Sequence, residues 1–388
     1  MPNLASERMR KLLRWFLPVV AILLFSLLYP PSTHAQSAKA AESAPLSSGP
    51  GINYTQREAQ PDLTVDRDPV LSPDAADNLP ITPSAQGKAL SKSGSGGYVL
   101  HENVNEVVLD CTVIDKKGNL ATGLKPSDFR VWEDGVPQKI ASFQYGDVPV
   151  SVGILVDNSG SMRDKREAAN RAALELVRES NPQDRAFIVN FNNHAYLDQG
   201  FTSNISDLER GLEHYDATGE TALYDAVAAS ADELSAHAKW PKQVLLIITD
   251  GEDDASRLTL QQTVARVQRL GGPVIYSIGM LFESESKQEA QRARQALETL
   301  SNDTGGIAFF PRSNRDMNAI AQEVARDIRD QYMIGYHSTK SPELGGYRAV
   351  RVEARNRHYG ELIVRTRKGY YPRQVHQMHA VETAQQIK

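Results

Sequence analysis

Three segments of this 388-residue chain end in oxygen-bearing side chains spaced as if to meet. The apolar run 154–156 stops at Asp157-Asn158-Ser159-Gly160-Ser161. A second apolar run, 244–248, stops at Thr249-Asp250-Gly251, and between them the polar stretch Thr218-Gly219-Glu220-Thr221 opens a helical pattern. Asp157, Ser159, Ser161, Thr221 and Asp250 together offer two carboxylates and three hydroxyls, with no His or Cys. Hard oxygen donors of this kind suit Mg²⁺, Mn²⁺ or Ca²⁺ far better than Zn²⁺ or Cu²⁺. Asp and Ser also cap helices, so Asp-x-Ser-x-Ser by itself carries little weight. Its weight comes from context, because each carboxylate closes a buried strand, and the carboxyl edge of an open α/β sheet is where ligands bind.

The surrounding pattern supplies such a sheet. From 148 to 331, strands expected over 150–156, 185–191, 196–201, 243–249, 273–279 and 307–310 alternate with helices over 164–179, 206–214, 222–237, 259–270, 285–300 and 315–331. Repeated alternation means a mostly parallel, doubly wound sheet with helices on both faces. Residues 98–147 read instead as a small all-β unit, with strands over 107–115, 128–133 and 138–143 and a hairpin signal at Glu133-Asp134-Gly135. Three more short strands occupy 332–372 and cannot form a core of their own size. They are expected to complete the all-β unit as a β-sandwich flanking the central domain. The single cysteine, Cys111, alternates with Val107, Leu109 and Val113 on one strand face and reads as a core residue, with no intramolecular disulfide available.

The amino-terminal 35 residues have the form of an export signal: Arg8, Arg10, Lys11 and Arg14, an apolar core over 15–29, and the small-x-small site Thr33-His34-Ala35. Cleavage after about Ala35 would place the protein in the periplasm or outside the cell. The same segment left uncleaved would be a membrane anchor, although its apolar core is shorter than a spanning helix needs. Removing four basic and one acidic side chain with it takes the formal charge from −5 to −8, which disfavours sequence-independent nucleic-acid binding. Residues 36–97 are rich in Ala, Ser, Pro and Gly without helical or strand period and read as a disordered tether, and 373–388 as a flexible tail.

These motifs in this order resemble a von Willebrand factor type A domain carrying a metal ion-dependent adhesion site. Asp128-Phe129, Glu133-Asp134-Gly135, Thr221-Ala222-Leu223-Tyr224-Asp225-Ala226, Thr249-Asp250-Gly251-Glu252-Asp253 and Arg367-Lys368-Gly369-Tyr370-Tyr371 further resemble the exported proteins of this type common in Acidobacteria. The resemblance implies that Ser159 and Ser161 ligate the metal, that Thr221 does so directly or through water, and that Asp157 and Asp250 hold metal-bound waters. It also implies an open coordination position for a partner protein's Asp or Glu carboxylate. Where the family often has Gly-Gly-Thr this chain has Gly219-Glu220-Thr221, so an added carboxylate is expected beside the site, directed to solvent. Glu252, Asp253 and Asp254 are read as a solvated acidic loop, and Arg365, Arg367 and Lys368 as a solvated strand edge.

The reading is therefore a non-enzymatic, exported, metal-dependent protein-interaction module. One alternative is a Mg²⁺-dependent phosphohydrolase using Asp157 as nucleophile or base, for which no phosphate-binding loop or nucleophile–base pair is found in the sequence. Another is a structural envelope component whose metal serves stability alone.

Overall fold

The computed structural model describes residues 106–372 apart from Tyr215 and Glu285, together with Leu63. The export segment, the rest of the tether, residues 98–105 and the tail 373–388 lie outside the described residues. Four strands come first: β1 (Glu106–Asp115), β2 (Phe129–Glu133), β3 (Val136–Gln138) and β4 (Ile140–Tyr145). The alternating part follows, with β5 (Val150–Asp157), α1 (Arg166–Arg178), β6 (Arg185–Phe191), β7 (Ala195–Thr202), α2 (Ile205–Glu213) and α3 (Leu223–His237). It continues through β8 (Lys242–Thr249), α4 (Leu260–Arg269), β9 (Val274–Gly279), α5 (Lys287–Thr304), β10 (Ala308–Phe309) and α6 (Met317–Arg329). Strands β11 (Tyr332–His337), β12 (Arg348–Asn356), β13 (Gly360–Arg365) and β14 (Gly369–Tyr370) close the described chain.

The alternating part forms a six-stranded sheet in the order β10-β9-β8-β5-β6-β7, parallel throughout except for β7. Every residue of β5 is buried, because both faces of the strand are covered. Val152, Ile154 and Val156 point to one face, with Ala169, Ala172 and Leu176 of α1, Leu208 of α2 and Val324 of α6. Leu155 points to the other, with Val227 of α3, Val267 of α4 and Leu297 of α5. Period-2 alternation is thus present, but both phases are apolar, as a strand covered on two sides requires. Leu63 packs against this second face. The strand order reverses between β5 and β8, so the helices that follow them lie on opposite faces of the sheet and leave a crevice beyond their carboxyl ends.

The remaining strands form one eight-stranded antiparallel sheet, β3-β2-β12-β13-β1-β11-β4, with β14 added beside β12. Here the structure differs from the expected sandwich of two sheets. Only Lys139 separates β3 from β4, yet these strands lie at opposite edges of the sheet. In a flat sheet β2 and β4 would stand about 24 Å apart at the usual strand spacing. Phe129 of β2 and Phe143 of β4 instead have ring centroids 5.5 Å apart, and both rings adjoin Tyr332 of β11. The sheet is rolled up on itself, and its inside holds Leu109, Cys111, Val113, Val131, Ile334 and Val352. Cys111 is wholly buried there, and burial pushes its thiol pKa up to about 12, as befits an inert core thiol.

Polar groups join the rolled sheet to the α/β part. Asp327, in the last turn of α6, accepts from Tyr276 of β9 at 2.7 Å and pairs with Arg365 of β13 at 2.6 Å. Arg367 reaches the carbonyls of Val108 and Gly271, and Lys368 pairs with Asp303 at 2.6 Å. The basic run 365–368 is therefore a seam between two sheets, which corrects its reading as a solvated edge. Gly305 ends α5 at φ +95, where a Cβ would stand 2.6 Å from the Arg367 amide, so only glycine lets the seam close.

Inside the rolled sheet Glu133 accepts from Tyr336 at 2.8 Å, Tyr370 at 2.7 Å and Ser338 at 2.6 Å, and Arg348 lies 3.4 Å away. Both charged side chains are buried, and removing one partner of such a pair leaves the other desolvated and unanswered. Glu133→Ala is expected to cost about 3–5 kcal/mol of stability, read as a lowered urea midpoint with unchanged slope.

Candidate metal site

Four of the five sequence-predicted residues are joined by hydrogen bonds at the carboxyl ends of β5 and β8. Asp157 is fully buried; one oxygen accepts the Ser159 amide at 2.8 Å and the other the Thr249 hydroxyl at 2.5 Å. Ser159 and Ser161 hydroxyls lie 3.2 Å apart, and Ser161 donates to Asp250 at 2.8 Å. Thr221, the fifth, is buried across the crevice; a Cβ on Gly251 would lie 3.5 Å from its hydroxyl, which puts it beside Asp250. Ser161, Gly160, Gly219 and Glu220 are exposed around this buried floor. The expected cluster is assembled, with one of its hydroxyls open to solvent.

Local chemistry explains how an irregular loop holds Thr221 in place. The Ala217 amide is bound by the Asn158 side chain at 3.0 Å and the Thr218 amide by the Asn158 carbonyl at 3.0 Å. Asn193 accepts from the Glu220 amide, Asp254 from the Thr221 amide at 2.7 Å, and the Asn192 carbonyl from the Ala222 amide. Three neighbouring loops thus satisfy the amides of 217, 218, 220, 221 and 222, so the segment is fixed without regular structure. Ala217 sits at φ +47, an unfavourable conformation for alanine that these bonds enforce. At Gly219, φ is +83 and a Cβ would meet the Asn193 side-chain oxygen at 2.1 Å, so the turn requires glycine. Glu220 is exposed as expected, though its carboxylate accepts from Asn193 at 3.0 Å.

The acidic loop after β8 turns out to be structural rather than merely solvated. Helix α3 has no side-chain cap of its own. Asp253 accepts from the Tyr224 amide at 2.9 Å and Ser256 from the Asp225 amide at 3.0 Å, while Asp254 takes Thr221. These are the orphan donors at a helix amino terminus, and carboxylates there also oppose the positive end of its dipole. Glu252 pairs with Arg292 of α5 at 3.3 Å.

Two buried cations, Arg166 and Lys165, were not singled out by sequence reasoning. Arg166 donates to the Asp157 carbonyl at 2.8 Å and to Asn190, which in turn donates to Asp198 at 2.6 Å. Lys165 pairs with the second oxygen of Asp250 at 2.7 Å, with 8% of its side chain and 1% of the Asp250 side chain exposed. Both residues follow the Asp-x-Ser-x-Ser motif at the start of α1, where a basic residue ordinarily reads as a solvated surface charge. Their spacing carries no clue, because Asp250 lies 85 residues further along.

The donors present fit a hard divalent cation. Burial raises the Asp157 pKa to about 6, against the lowering effect of its hydrogen bonds from Thr249 and Ser159. Among the described residues no three His, Cys, Asp or Glu side chains converge, so such an ion would depend on the hydroxyls as well.

Residues 152–252 match the family model of the von Willebrand factor type A domain, a span that holds all five site residues. No curated protein matches the chain. Among solved structures, it is similar to the conserved hypothetical protein BatB from Bacteroides thetaiotaomicron, at 21% identity, covering 46% of this chain and 98% of that one, with a TM-score of 0.37. It is similar to a von Willebrand factor type A protein from Catenulispora acidiphila at 15% identity, covering 67% and 72% respectively, with a TM-score of 0.38. The corresponding domain of the type V pili tip protein Mfa5 from Porphyromonas gingivalis gives 12% identity, 47% and 95% coverage, and a TM-score of 0.39.

Asn158→Ala would remove the side chain that binds Asp216 and leave the Ala217 amide buried without a partner. It is expected to cost about 2 kcal/mol of stability by denaturant titration.

Proposed function

We propose that this protein is a non-enzymatic protein-binding module, exported from the cell, that captures its partner through a divalent cation held by Asp157, Ser159, Ser161, Thr221 and Asp250. The observation that carries the reading is the hydrogen-bonded convergence of Asp157, Ser159, Ser161 and Asp250 on a buried floor with an exposed rim. Bound Mg²⁺, Mn²⁺ or Ca²⁺ would supply an electrophilic centre with a position open to a partner's Asp or Glu carboxylate. Neutral hydroxyls from Ser159, Ser161 and Thr221 donate weakly, which keeps such a centre electrophilic, while Asp157 and Asp250 orient bound water. The match over 152–252 supports the same assignment. Export and the likeness to acidobacterial proteins rest on the leader and on the motifs of the sequence.

A phosphohydrolase reading fares worse on geometry. Asp157 is wholly buried and each of its carboxylate oxygens already accepts a hydrogen bond, whereas a nucleophile or base must be presented to its substrate. A purely structural metal would be told apart by partner capture that survives chelation.

The test is a calorimetric titration of Mn²⁺ and Mg²⁺ into the protein and into Asp157→Ala/Ser159→Ala. One-to-one binding that disappears in the double variant is expected; an intact fold that binds no cation would rule the reading out. Acid should weaken this binding. Because the Asp157 pKa is raised to about 6, a proton competes for the carboxylate below that value. Affinity is expected to fall about tenfold between pH 7 and pH 5.

The same shift bears on stability without metal. The neutral form of Asp157 is favoured by folding, so its contribution is fully present below pH 3.8 and is lost as pH rises through about 6. Asp157→Asn in chelator should therefore melt no lower than the parent protein at pH 7.5, while losing the rise in melting temperature that Mn²⁺ gives.

A further inference from the structure

The site contains a cation of its own. Lys165 places its ammonium 2.7 Å from one oxygen of Asp250, while the other oxygen accepts from Ser161 at 2.8 Å. Neither side chain of the ion pair is meaningfully exposed, so water screens the pair poorly. The ammonium also lies 5.7 Å from the centre of the Phe282 ring, an apolar wall that leaves Asp250 as its neighbour of opposite charge. Arg166, the other buried cation nearby, is directed elsewhere: it bonds the main-chain carbonyl of Asp157 and shares Asn190 with Asp198.

Resting on the metal-site reading above, we propose that Lys165 is a built-in counter-ion that holds affinity for the bare divalent cation low and makes the loaded site call for one acidic group. The argument is one of charge. With Lys165 beside them, Asp157 and Asp250 already have half of their charge answered before any ion arrives. A divalent cation then leaves this buried group with one positive charge in excess, which is costly in a poorly solvated place. A single carboxylate at the open position removes that excess. Lys165 thereby links the two events: cation binding alone is weak, and cation binding with an acidic ligand is strong. Replacing the ammonium by a neutral side chain of similar length reverses both properties. The two aspartates then match the divalent ion alone, and an added carboxylate brings surplus negative charge.

The experiment is a Mn²⁺ titration by calorimetry on the whole protein, on Lys165→Met and on Lys165→Arg, each with and without saturating acetate as the carboxylate probe. Lys165→Met is expected to bind Mn²⁺ at least tenfold more tightly than the parent. Acetate is expected to raise Mn²⁺ affinity severalfold in the parent and in Lys165→Arg, and to leave Lys165→Met unchanged. Thermal melting in chelator provides the readout without metal: Lys165→Met should melt lower, since Asp250 loses its only ion-pair partner among the described residues, and recover on adding Mn²⁺. Equal or weaker Mn²⁺ binding by folded Lys165→Met would overturn this proposal while leaving the metal site standing. Absence of Mn²⁺ binding in all three proteins would overturn the metal site and this proposal with it.

Discussion

Burial of β5 on both faces along its whole length is the constraint from which the site follows. Strand β5 is buried on both faces to its last residue, so the side chain that terminates it, Asp157, is wholly removed from solvent. Placing Asp157 there creates a carboxylate whose ionisation is opposed by its surroundings, with the Ser159 amide and the Thr249 hydroxyl as its partners. Strand β8, parallel to β5 and buried apart from Gln243, is followed by Asp250, itself buried. Two carboxylates are thus brought together at the place where strand order reverses and the helices diverge. Pairs of desolvated acids do not persist unless something positive is supplied, from within the chain or from solution.

At the opposite end of the same sheet the charges are answered within the chain. Asp327 has Arg365, the Tyr276 hydroxyl and the Thr112 hydroxyl within hydrogen-bonding reach. Glu133 has Arg348 and three hydroxyl donors inside the rolled sheet. These groups join or stabilise two bodies of structure. Strands from both ends of the chain build the rolled sheet, which is why it must be sewn to the α/β part at several places. Arg365, Arg367 and Lys368 make those stitches from one short segment.

Much of this was legible in the sequence, for physical reasons that also explain what was not. The alternation of buried strands and amphipathic helices between 150 and 329 is local, and so were the strand-end carboxylates. The need of the carboxy-terminal strands for partners could be read because three short strands cannot enclose a core. Rolling of the sheet could not, since it depends on Lys139 carrying the chain from one edge to the other, a matter of backbone direction rather than residue type. Charges were the weakest point. Arg365 and Arg367 alternate along a strand as solvated residues would, and their partners lie 38 residues away in Asp327 and at the distant carbonyls of Val108 and Gly271. Asp253 and Asp254 looked like a solvated loop because the helix they cap begins 30 residues earlier.

Lys165 belongs to that same class of long-range pairing, yet its position gives it a different consequence. A seam charge such as Arg365 meets Asp327 between the two sheets, with 20% and 7% of their side chains exposed. Lys165 meets Asp250 on the floor of a crevice whose edge is exposed at Ser161, Gly219 and Glu220, where an ion from solution has access. The chemistry is the same at both places, an ammonium or guanidinium against a buried carboxylate, but the neighbours differ: Asp250 also accepts from Ser161 of the strand-end motif, whereas Asp327 accepts from Tyr276 and Thr112. The site owes this setting to the parallel pairing of β5 with β8 and to the stitched loop at 217–222.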